Sequence, residues 1–408
     1  MNRRLKIAWI CVQGTLATGG NIYTPKDGLH LYLEKRLSNI LDISFLTEPF
    51  IFRYIGYKAS LPYKLRFSGR IAKHLIRHRP DLLVTTGFPH IEGFFAFVIG
   101  KLLRTRILLQ ETHWYWPKTL AARLSWPVNL WLVHRTTVLI VPGRRVEAYW
   151  QSAGIRPNMI HVVPFYTSAV EISAETTYSA GKLRKRLVKD TILLYFGRLI
   201  KRKGINYLIE AFAKLKKEIP NTALIIAGDG PELDNLQRQC ANKGLNQDVV
   251  FTGMVKESMK PAYFIAADIY VYPSITLETP EEWALGVVEA LSAGKPVVAT
   301  FATGCALDAV WNGVNGYVVR EKDSRALYDT IRNLVINADL RRQMGLKSRV
   351  IFERHFTYSE AVRAFLCSIR LALQEARAVS CLSQKKSFHG ARYFNLSVGA
   401  FDAEERRL

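Results

Sequence analysis

Two carboxylates, Glu281 and Glu289, bracket a run of seven residues in the second half of the chain. Glu289 stands at the head of a helical pattern that stops at Gly294, and Pro296 then opens an apolar strand. Acceptors set around a helix start, where free N–H groups favour anions, suit a ligand with hydroxyls beside a phosphate, such as a nucleotide sugar. The alternative is a solvated acidic helix start, because Asp and Glu are frequent in first turns.

A basic loop between a strand and a helix supplies the complementary charge. The apolar run Thr191–Phe196 predicts a buried strand, and the amphipathic pattern Ile205–Glu218 predicts a helix. The loop between them is bounded by glycines and carries Arg198 and Lys203. Such a loop before a helix is typical of phosphate binding, where an arginine can contact two oxygens and a lysine supplies a point charge. On a chain this basic, a solvated basic loop is the alternative.

Length and composition predict two domains in a reducing compartment. The chain has 408 residues, of which 49% are hydrophobic, enough for two cores. Its five cysteines show no paired spacing, which argues against a disulfide framework and a zinc site. We interpret the basic N-terminus and the short apolar run after it as a first strand rather than a signal peptide. The longest apolar stretch, residues 93–103, is too short to span a bilayer, so we expect a cytoplasmic protein.

Short apolar runs alternate with amphipathic segments along the chain, which is typical of parallel α/β sheets. Two sets of similar number and spacing predict two doubly wound domains, joined by the polar segment 168–189. The predicted strands are residues 5–12, 43–46, 82–85, 107–110, 138–141 and 161–164 in the first half, and 191–196, 223–227, 249–252, 269–272, 296–300 and 316–319 in the second. The predicted helices include residues 29–41, 67–78, 205–218, 231–243 and 325–337.

The candidate residues follow predicted strands, and ligands of doubly wound sheets bind at the carboxyl ends of the strands. The basic loop that carries Arg198 and the block that begins at Glu281 both lie just past such ends, as does the Gly-rich segment 18–28 of the first domain. Two domains facing each other would enclose the ligand in a cleft.

The order and spacing of these motifs over residues 191–320 resemble the retaining glycosyltransferases of family 4, which have the GT-B architecture of two Rossmann-like domains facing across a cleft. The matching pieces are Gly197-Arg198-Leu199 with Lys203-Gly204, Leu224 to Glu232, Val250 to Gly253, Ala267 to Ser274, Glu281 to Glu289, and Trp311 to Val319. The first half matches more weakly, through Gly19-Gly20, Pro80-Asp81 and Glu111-Thr112-His113.

The resemblance implies a donor site for a nucleoside-diphosphate sugar in the second domain. Arg198 and Lys203 would neutralise the diphosphate. Glu281 would hold hydroxyls of the transferred sugar, and Glu289 would bind the ribose. His113, at a strand end, would touch the sugar or the acceptor; the alternative is a structural histidine packed among its aromatic neighbours.

Further donor contacts are implied at small and backbone groups. The N–H groups of Leu285 and Gly286 would contact phosphate, and Gly20 would let a first-domain loop approach the diphosphate. Met254 and Val255 would lie near the base. The implied domains are an acceptor-side domain over residues 1–168, with a helix at 355–376 packing back on it, a donor domain over residues 185–350, and a peripheral tail over residues 377–408.

Three features depart from the family pattern. Residues 282–284 read Glu-Trp-Ala where many members have Gly-Phe-Gly, which affects the identity of the donor sugar. Asp308 stands where a glutamate is usual, and Pro142-Gly143 replaces the usual serine after a first-domain strand.

The predicted chemistry is transfer of a sugar with retention of its configuration, in the synthesis of a cell-surface polysaccharide or glycolipid. Arg198, Lys203 and the helix start can stabilise the charge on a leaving nucleoside diphosphate. The chain has no Asp-x-Asp metal motif, so we predict a metal-independent enzyme without a cofactor. Because fold alone does not determine function, a sugar-nucleotide epimerase or hydrolase, or an inactive nucleotide-sugar binder, stays open.

The net charge of +23 lies mainly in the first half. From Arg53 to Arg79 there is no acidic residue, and basic side chains alternate with tyrosines and phenylalanines. This composition suits anionic lipid headgroups at the cytoplasmic face of a membrane, where the acceptor would be lipid-linked; a carbohydrate acceptor stays open. A plain solvated basic face is the alternative. No nucleic-acid-binding module is visible, so we expect no nucleic-acid partner.

Overall fold

The computed structural model describes residues 5–11, 41–47, 61–86, 91–115, 120–277 and 281–373. Its strands form two six-stranded parallel sheets, with orders β2-β1-β3-β4-β5-β6 and β12-β11-β10-β7-β8-β9. The first sheet consists of β1 Leu5–Cys11, β2 Leu41–Thr47, β3 Leu82–Thr86, β4 Arg106–Gln110, β5 Val138–Val141 and β6 Ile160–Val162. The second consists of β7 Thr191–Phe196, β8 Thr222–Ala227, β9 Val249–Phe251, β10 Ile269–Tyr272, β11 Val297–Thr300 and β12 Gly316–Val319.

Helices cover the described sheets. With the first sheet lie α1 Leu61–His78, α2 Ile91–Leu102, α3 Leu120–Arg135 and α4 Arg144–Ser152. The helices that come later in the chain are α5 Ala174–Leu187, α6 Ile205–Glu218, α7 Leu233–Asn242, α8 Lys260–Ala266, α9 Leu285–Ser292, α10 Ala306–Ala309, α11 Ser324–Ile336, α12 Ala338–His355 and α13 Tyr358–Ala372.

The predicted strands match the observed ones, with ends that differ by at most two residues. They were recognisable because strands of a parallel sheet are buried on both faces and are therefore continuously apolar. The second-half helices 205–218, 231–243 and 325–337 are also confirmed within two residues, whereas α1 begins six residues before the predicted 67. Residues 29–40 of a predicted helix and the tail from 377 lie outside the described residues.

The first sheet is covered on both faces, which fixes the positions of its helices. On one face, Ile71 of α1, Phe97 of α2 and Leu132 of α3 share a core with β1, β3, β4 and β5. The other face is covered by α13 from the far end of the chain, where Phe365 stacks on Trp9 of β1 with ring centroids 4.6 Å apart. The last described helix therefore completes the core of the first sheet.

The polar segment expected to link the domains contains helix α5. Ser173 caps the helix by accepting a hydrogen bond from Thr176 N, and Thr176 Oγ1 accepts one from Ser173 N. Ala180 then packs against Ala262 and Ala266 of α8. A small apolar contact and a capping box are weak signals in a charged segment, so the pattern did not show the helix.

The cysteines give one departure from expectation. Cys367 is disulfide-bonded, whereas Cys240 and Cys305 are buried free thiols. Spacing could not show the bond because pairing of distant cysteines depends on the tertiary structure. Within the described part of the chain, no helix is long and apolar enough to cross a membrane.

Candidate active site

The basic loop after β7 presents one exposed and one buried cation. Arg198 is exposed, and among the described residues its guanidinium has no hydrogen-bond or ion-pair partner. Lys203 ends a single 3-10 turn, Lys201–Lys203, and is only 5% exposed. Gly204 follows with φ of +61°, and a Cβ there would lie 2.1 Å from the carbonyl oxygen of Pro273. Glycine is therefore required for the loop to close against the end of β10.

Lys203 forms a buried ion pair with the first glutamate of the Glu281–Glu289 block. Its Nζ donates to Glu281 Oε2 at 2.5 Å and to the hydroxyl of Tyr272, and Arg202 Nε lies 3.8 Å from the same Glu281 oxygen. Burial lowers the pKa of Lys203, and the carboxylate of Glu281 opposes this effect. An ammonium group has three donors, and in the part of the chain that the structure describes two of those of Lys203 are engaged by side chains.

Glu289 is held in a second buried pair. It lies on α9, is 7% exposed and accepts a hydrogen bond from Lys260 Nζ. Burial raises the pKa of Glu289, and the charge of Lys260 opposes the rise. No side chain caps the start of α9, where Leu285 and Gly286 lie. Gly286 is pressed against β10, since a Cβ there would come within 2.3 Å of the Tyr270 hydroxyl.

The residues expected near the base lie at the outer end of the same sheet edge. Met254 and Val255 follow β9, and Met254 is 84% exposed while Val255 packs against the core. Gly228, at the end of β8, bridges to Gly253 and approaches Gly197 so closely that a Cβ would lie 1.9 Å from the Gly197 oxygen. The carboxyl ends of β7, β8 and β9 are thereby packed into one edge.

His113 lies between carboxylates of the two sheets. Its Nδ1 is 3.4 Å from Glu111 Oε2 and its Nε2 is 3.4 Å from Glu282 Oε1. Burial opposes the charge of the imidazolium, but the hydrogen bond to Glu111 and the charges of Glu111 and Glu282 prevail, so the pKa of His113 is raised. Thr112 Oγ1 adds a 2.9 Å hydrogen bond to Glu282 Oε2. The histidine is thus placed at the boundary between the two sheets.

Trp114 ties the same loop to the Glu281 block. Its Nε1 donates to the backbone oxygen of Glu281 at 3.0 Å. The guanidinium of Arg145, at the start of α4, lies 4.5 Å from the Trp114 ring centroid and 4.4 Å from that of Phe301. These contacts hold the end of β4 beside Glu281.

Residues from all three departures from the family pattern meet in space. Asp308 is buried and accepts hydrogen bonds from Arg144 N at 3.1 Å and Arg144 Nε at 3.2 Å. At Gly143 a Cβ would lie 2.4 Å from Asp308 Oδ2 and 2.9 Å from the Trp283 ring. A serine at 143 would not fit against Asp308 and Trp283 in this arrangement. The residues at positions 143, 283 and 308 therefore depend on one another for their packing.

The structure brings Arg198, Lys203 and Glu281 together: the charges of Arg198 and Glu281 both act on the pKa of Lys203. His113 reaches the neighbouring Glu282 rather than Glu281 itself. Gly20 lies outside the described residues. Sequence reasoning missed Tyr272, Lys260 and Arg202 as partners of the two glutamates; the position of Tyr272 at a strand end was the one usable signal.

Buried polar groups mark the facing edge of the first sheet. Among the described residues, Thr85 Oγ1, Thr86 Oγ1 and Glu111 Oε1 are buried without a hydrogen-bond partner. All three residues lie at the carboxyl ends of β3 and β4, the edge that also carries His113. In the ranges that the structure describes, no cluster of three or more His, Cys, Asp or Glu side chains could hold a metal ion.

The arrangement can bind an anion and hydroxyl groups side by side. An exposed guanidinium, a buried ammonium and an uncapped helix start form the anion-binding part. The carboxylates of Glu281 and Glu289 are acceptors for hydroxyl protons. These features suit a phosphorylated sugar derivative.

Comparison with known proteins matches both halves of the chain to glycosyltransferase families. The family model described as Glycosyl transferases group 1 matches residues 182–350, and that described as Glycosyl transferase 4-like domain matches residues 51–165.

Individual relatives of the chain are also glycosyltransferases by name. Alpha-D-kanosaminyltransferase of Streptomyces kanamyceticus is 26% identical over 267 residues, which cover 62% of this chain and 67% of the relative. A GDP-mannose-dependent alpha-(1-6)-phosphatidylinositol monomannoside mannosyltransferase of Mycolicibacterium smegmatis is 34% identical over 174 residues, or 41% of this chain and 45% of the relative. This match spans less than half the length of the mannosyltransferase.

A solved structure shares the fold. The crystal structure of Anabaena Alr3699/HepE in complex with UDP and glucose superposes with a TM-score of 0.66 at 19% identity, covering 90% of this chain and 99% of that one. This similarity establishes the GT-B architecture that the sequence motifs predicted.

Proposed function

From the premise that the chain belongs to the glycosyl transferases group 1 family and is a GT-B glycosyltransferase, we propose that it transfers a sugar from a nucleoside-diphosphate donor to an acceptor hydroxyl, with retention of configuration. The observation that carries the proposal is the charge-complementary group at the edge of the second sheet. There an exposed Arg198 lies beside the Lys203–Glu281 pair, and Glu289 lies on the next helix.

Arg198 and Lys203 bind the diphosphate of the donor. Arg198 is exposed and no described side chain engages it, so its guanidinium can contact two phosphate oxygens at once. Lys203 donates to the same group, and the uncapped start of α9 adds backbone N–H groups at Leu285 and Gly286. As the bond between the anomeric carbon and the phosphate oxygen breaks, these donors stabilise the charge on the leaving group.

The carboxylates orient the two sugars of the donor. Glu289 accepts hydrogen bonds from the ribose hydroxyls, and Glu281 accepts them from the transferred sugar. Lys203 and Lys260 supply the opposite charges that the two carboxylates need in a buried setting. Support for a nucleotide-sugar ligand also comes from the UDP and glucose bound in the structural neighbour Alr3699/HepE.

The acceptor approaches from the first sheet. The acceptor oxygen forms its bond to the anomeric carbon on the face that the diphosphate leaves, so the configuration is retained. The departing phosphate takes the proton of the acceptor hydroxyl, which balances the charge. His113 contacts the sugar or acceptor from the end of β4. Metal independence remains a prediction, which EDTA treatment of the active enzyme would test.

The acceptor is a glycolipid or another lipid-linked sugar. Two observations support this part of the proposal: the acid-free stretch from Arg53 to Arg79, and the similarity to a mannosyltransferase whose name specifies a phosphatidylinositol monomannoside. The excess of basic residues in this sequence segment suits anionic headgroups at the cytoplasmic side of a membrane.

The first experiment is a screen of UDP-, GDP- and ADP-sugars for thermal stabilisation, because a ligand that binds the native state raises its stability. The stabilising donor is then incubated with lipid extracts. Transfer predicts that free nucleoside diphosphate accumulates only when acceptor is present. An epimerised donor without acceptor, or equal release with and without it, would instead identify an epimerase or a hydrolase.

A further inference from the structure

One helix of the first sheet is apolar on its buried face and also on its exposed face. Leu120, Leu124, Val128 and Trp131 of α3 are exposed, by 74%, 69%, 37% and 42% respectively. Their spacing of four, four and three residues places them on one stripe of the helix. The opposite side of α3 is also apolar, because Leu132 and Val133 are buried in the core of the sheet. A surface helix normally turns polar side chains to solvent, so a stripe of large apolar side chains on the outer face calls for a cover.

A second pair of exposed apolar side chains lies on α2, a helix that contacts α3. The Phe97 ring lies 6.0 Å from that of Trp131, which joins the two helices side by side. Phe95 and Leu102 of α2 are exposed by 39% and 78%. The exposed apolar side chains of α3, grouped on one stripe, mark an interaction surface rather than scattered surface residues.

Cations flank this apolar surface. Arg135 lies with its guanidinium 4.6 Å from the Trp131 ring centroid, and Lys101 Nζ lies 5.7 Å from that of Phe97. The adjoining helix α1 adds further exposed cations at Arg70, Lys73 and Arg77. Across α1, α2 and α3 the only acidic residue is Glu92, which is fully buried. The outer surface of the three helices therefore carries positive charge and no exposed acid.

We propose that α3, with the adjoining outer faces of α1 and α2, docks this chain on an anionic lipid bilayer. The apolar stripe inserts among the acyl chains near the headgroups, while the arginines and lysines bind lipid phosphates. A second copy of the chain would bring the same positive charge against this face, which disfavours self-association. The occupant that suits both the apolar stripe and the cations is an anionic membrane.

The location of α3 connects docking to catalysis. The chain runs from the end of β4, where His113 lies, into the start of α3 at Leu120. A bilayer against α3 would thus lie at the rim of the cleft, within reach of the sugar of a membrane-embedded acceptor. The inference rests on the proposed lipid-linked acceptor, but docking can be measured without catalysis, so the two can fail separately.

Flotation tests the docking face. Wild-type protein is mixed with phosphatidylcholine vesicles that contain or lack phosphatidylglycerol, and the bound fraction is measured. We expect binding to the anionic vesicles, and a loss of about tenfold or more in affinity for Leu120→Ser/Leu124→Ser, because two inserted side chains no longer leave water. The matched control is Leu346→Ser/Val350→Ser, which changes two exposed side chains of α12 at the second sheet and should bind as wild type does.

Three results would overturn the proposal. The wild-type protein could fail to float with anionic vesicles, or the α3 variant could float as well as wild type. The α3 variant could also convert an oligomer to a monomer in sedimentation velocity without changing flotation, which would identify another copy of the chain as the occupant. Circular dichroism of the variant, equal to wild type, excludes unfolding as the cause of lost binding.

Discussion

Glu282 Oε1 of the second sheet lies 3.4 Å from Nε2 of His113, which follows β4 of the first sheet. The two residues are 169 positions apart in sequence, and the contact is one of few that join the Glu281 block to the facing edge. Glu282 is also the residue that departs from the glycine usual in the family. The departure therefore supplies a link across the cleft from a side chain that is also half exposed to solvent.

This link should depend on pH. The pKa of His113 is raised in the observed arrangement, so its contribution to stability is fully present below its ordinary value of about 6.5 and is lost as pH rises through the raised value. We expect the difference in Tm between wild type and His113→Gln to shrink over that rise. Glu282→Gln should reduce the same dependence, and a difference that stays constant with pH would contradict the charged contact.

Arg198 and Lys203 should respond differently to removal. Arg198→Ala takes away an exposed cation and should lower kcat by about 10²- to 10³-fold with Tm unchanged. Lys203→Met should lose activity and also about 3 kcal/mol of stability, because it leaves Glu281 buried without its partner. Thermal unfolding and donor turnover of both variants separate the two roles. Equal Tm values for the two variants would show that the Lys203–Glu281 pair contributes little to the fold.

Gly143 should be intolerant of a side chain. Its backbone is extended, so any residue could adopt the conformation, but a Cβ would collide with Asp308 Oδ2 and Trp283. We expect Gly143→Ala to lower the free energy of unfolding by about 1–3 kcal/mol, or to push the facing edges of the two sheets apart. Tm measures the first effect and KM for the donor the second. Gly181→Ala on α5, where a Cβ meets nothing, is the control and should be neutral or slightly stabilising.

Removing Lys260 should lower the stability of the fold, because Glu289 is buried. Lys260→Met leaves that carboxylate buried without its ion-pair partner and should destabilise the fold by about 3–5 kcal/mol near neutral pH. Burial already raises the pKa of Glu289, so the penalty should fall as the pH is lowered and the carboxyl is protonated. Denaturant unfolding at several pH values measures this. In the Lys260→Met/Glu289→Gln double variant much of the stability should return; if it does not, the loss has another origin.

The two parallel sheets and the loops at their carboxyl ends were predictable from the order of apolar and polar residues. Strands buried on both faces must be apolar throughout, so their limits were visible to within two residues, and Arg198, Lys203, Glu281 and Glu289 could be assigned to one edge from chain order alone. The sequence could not decide whether His113 has a packing role or a functional role, because its partner Glu282 comes from another part of the chain.

The pairing of the charges could be seen only once the chain was folded. Lys203 with Glu281, Lys260 with Glu289 and Arg144 with Asp308 are separated by 78, 29 and 164 residues. Such pairs depend on the placement of neighbouring strand ends and, for Arg144 with Asp308, of one sheet against the other. The exposed apolar stripe on α3 was hidden for a related reason: a helix apolar on both sides has no polar face in its sequence to show which side the core covers.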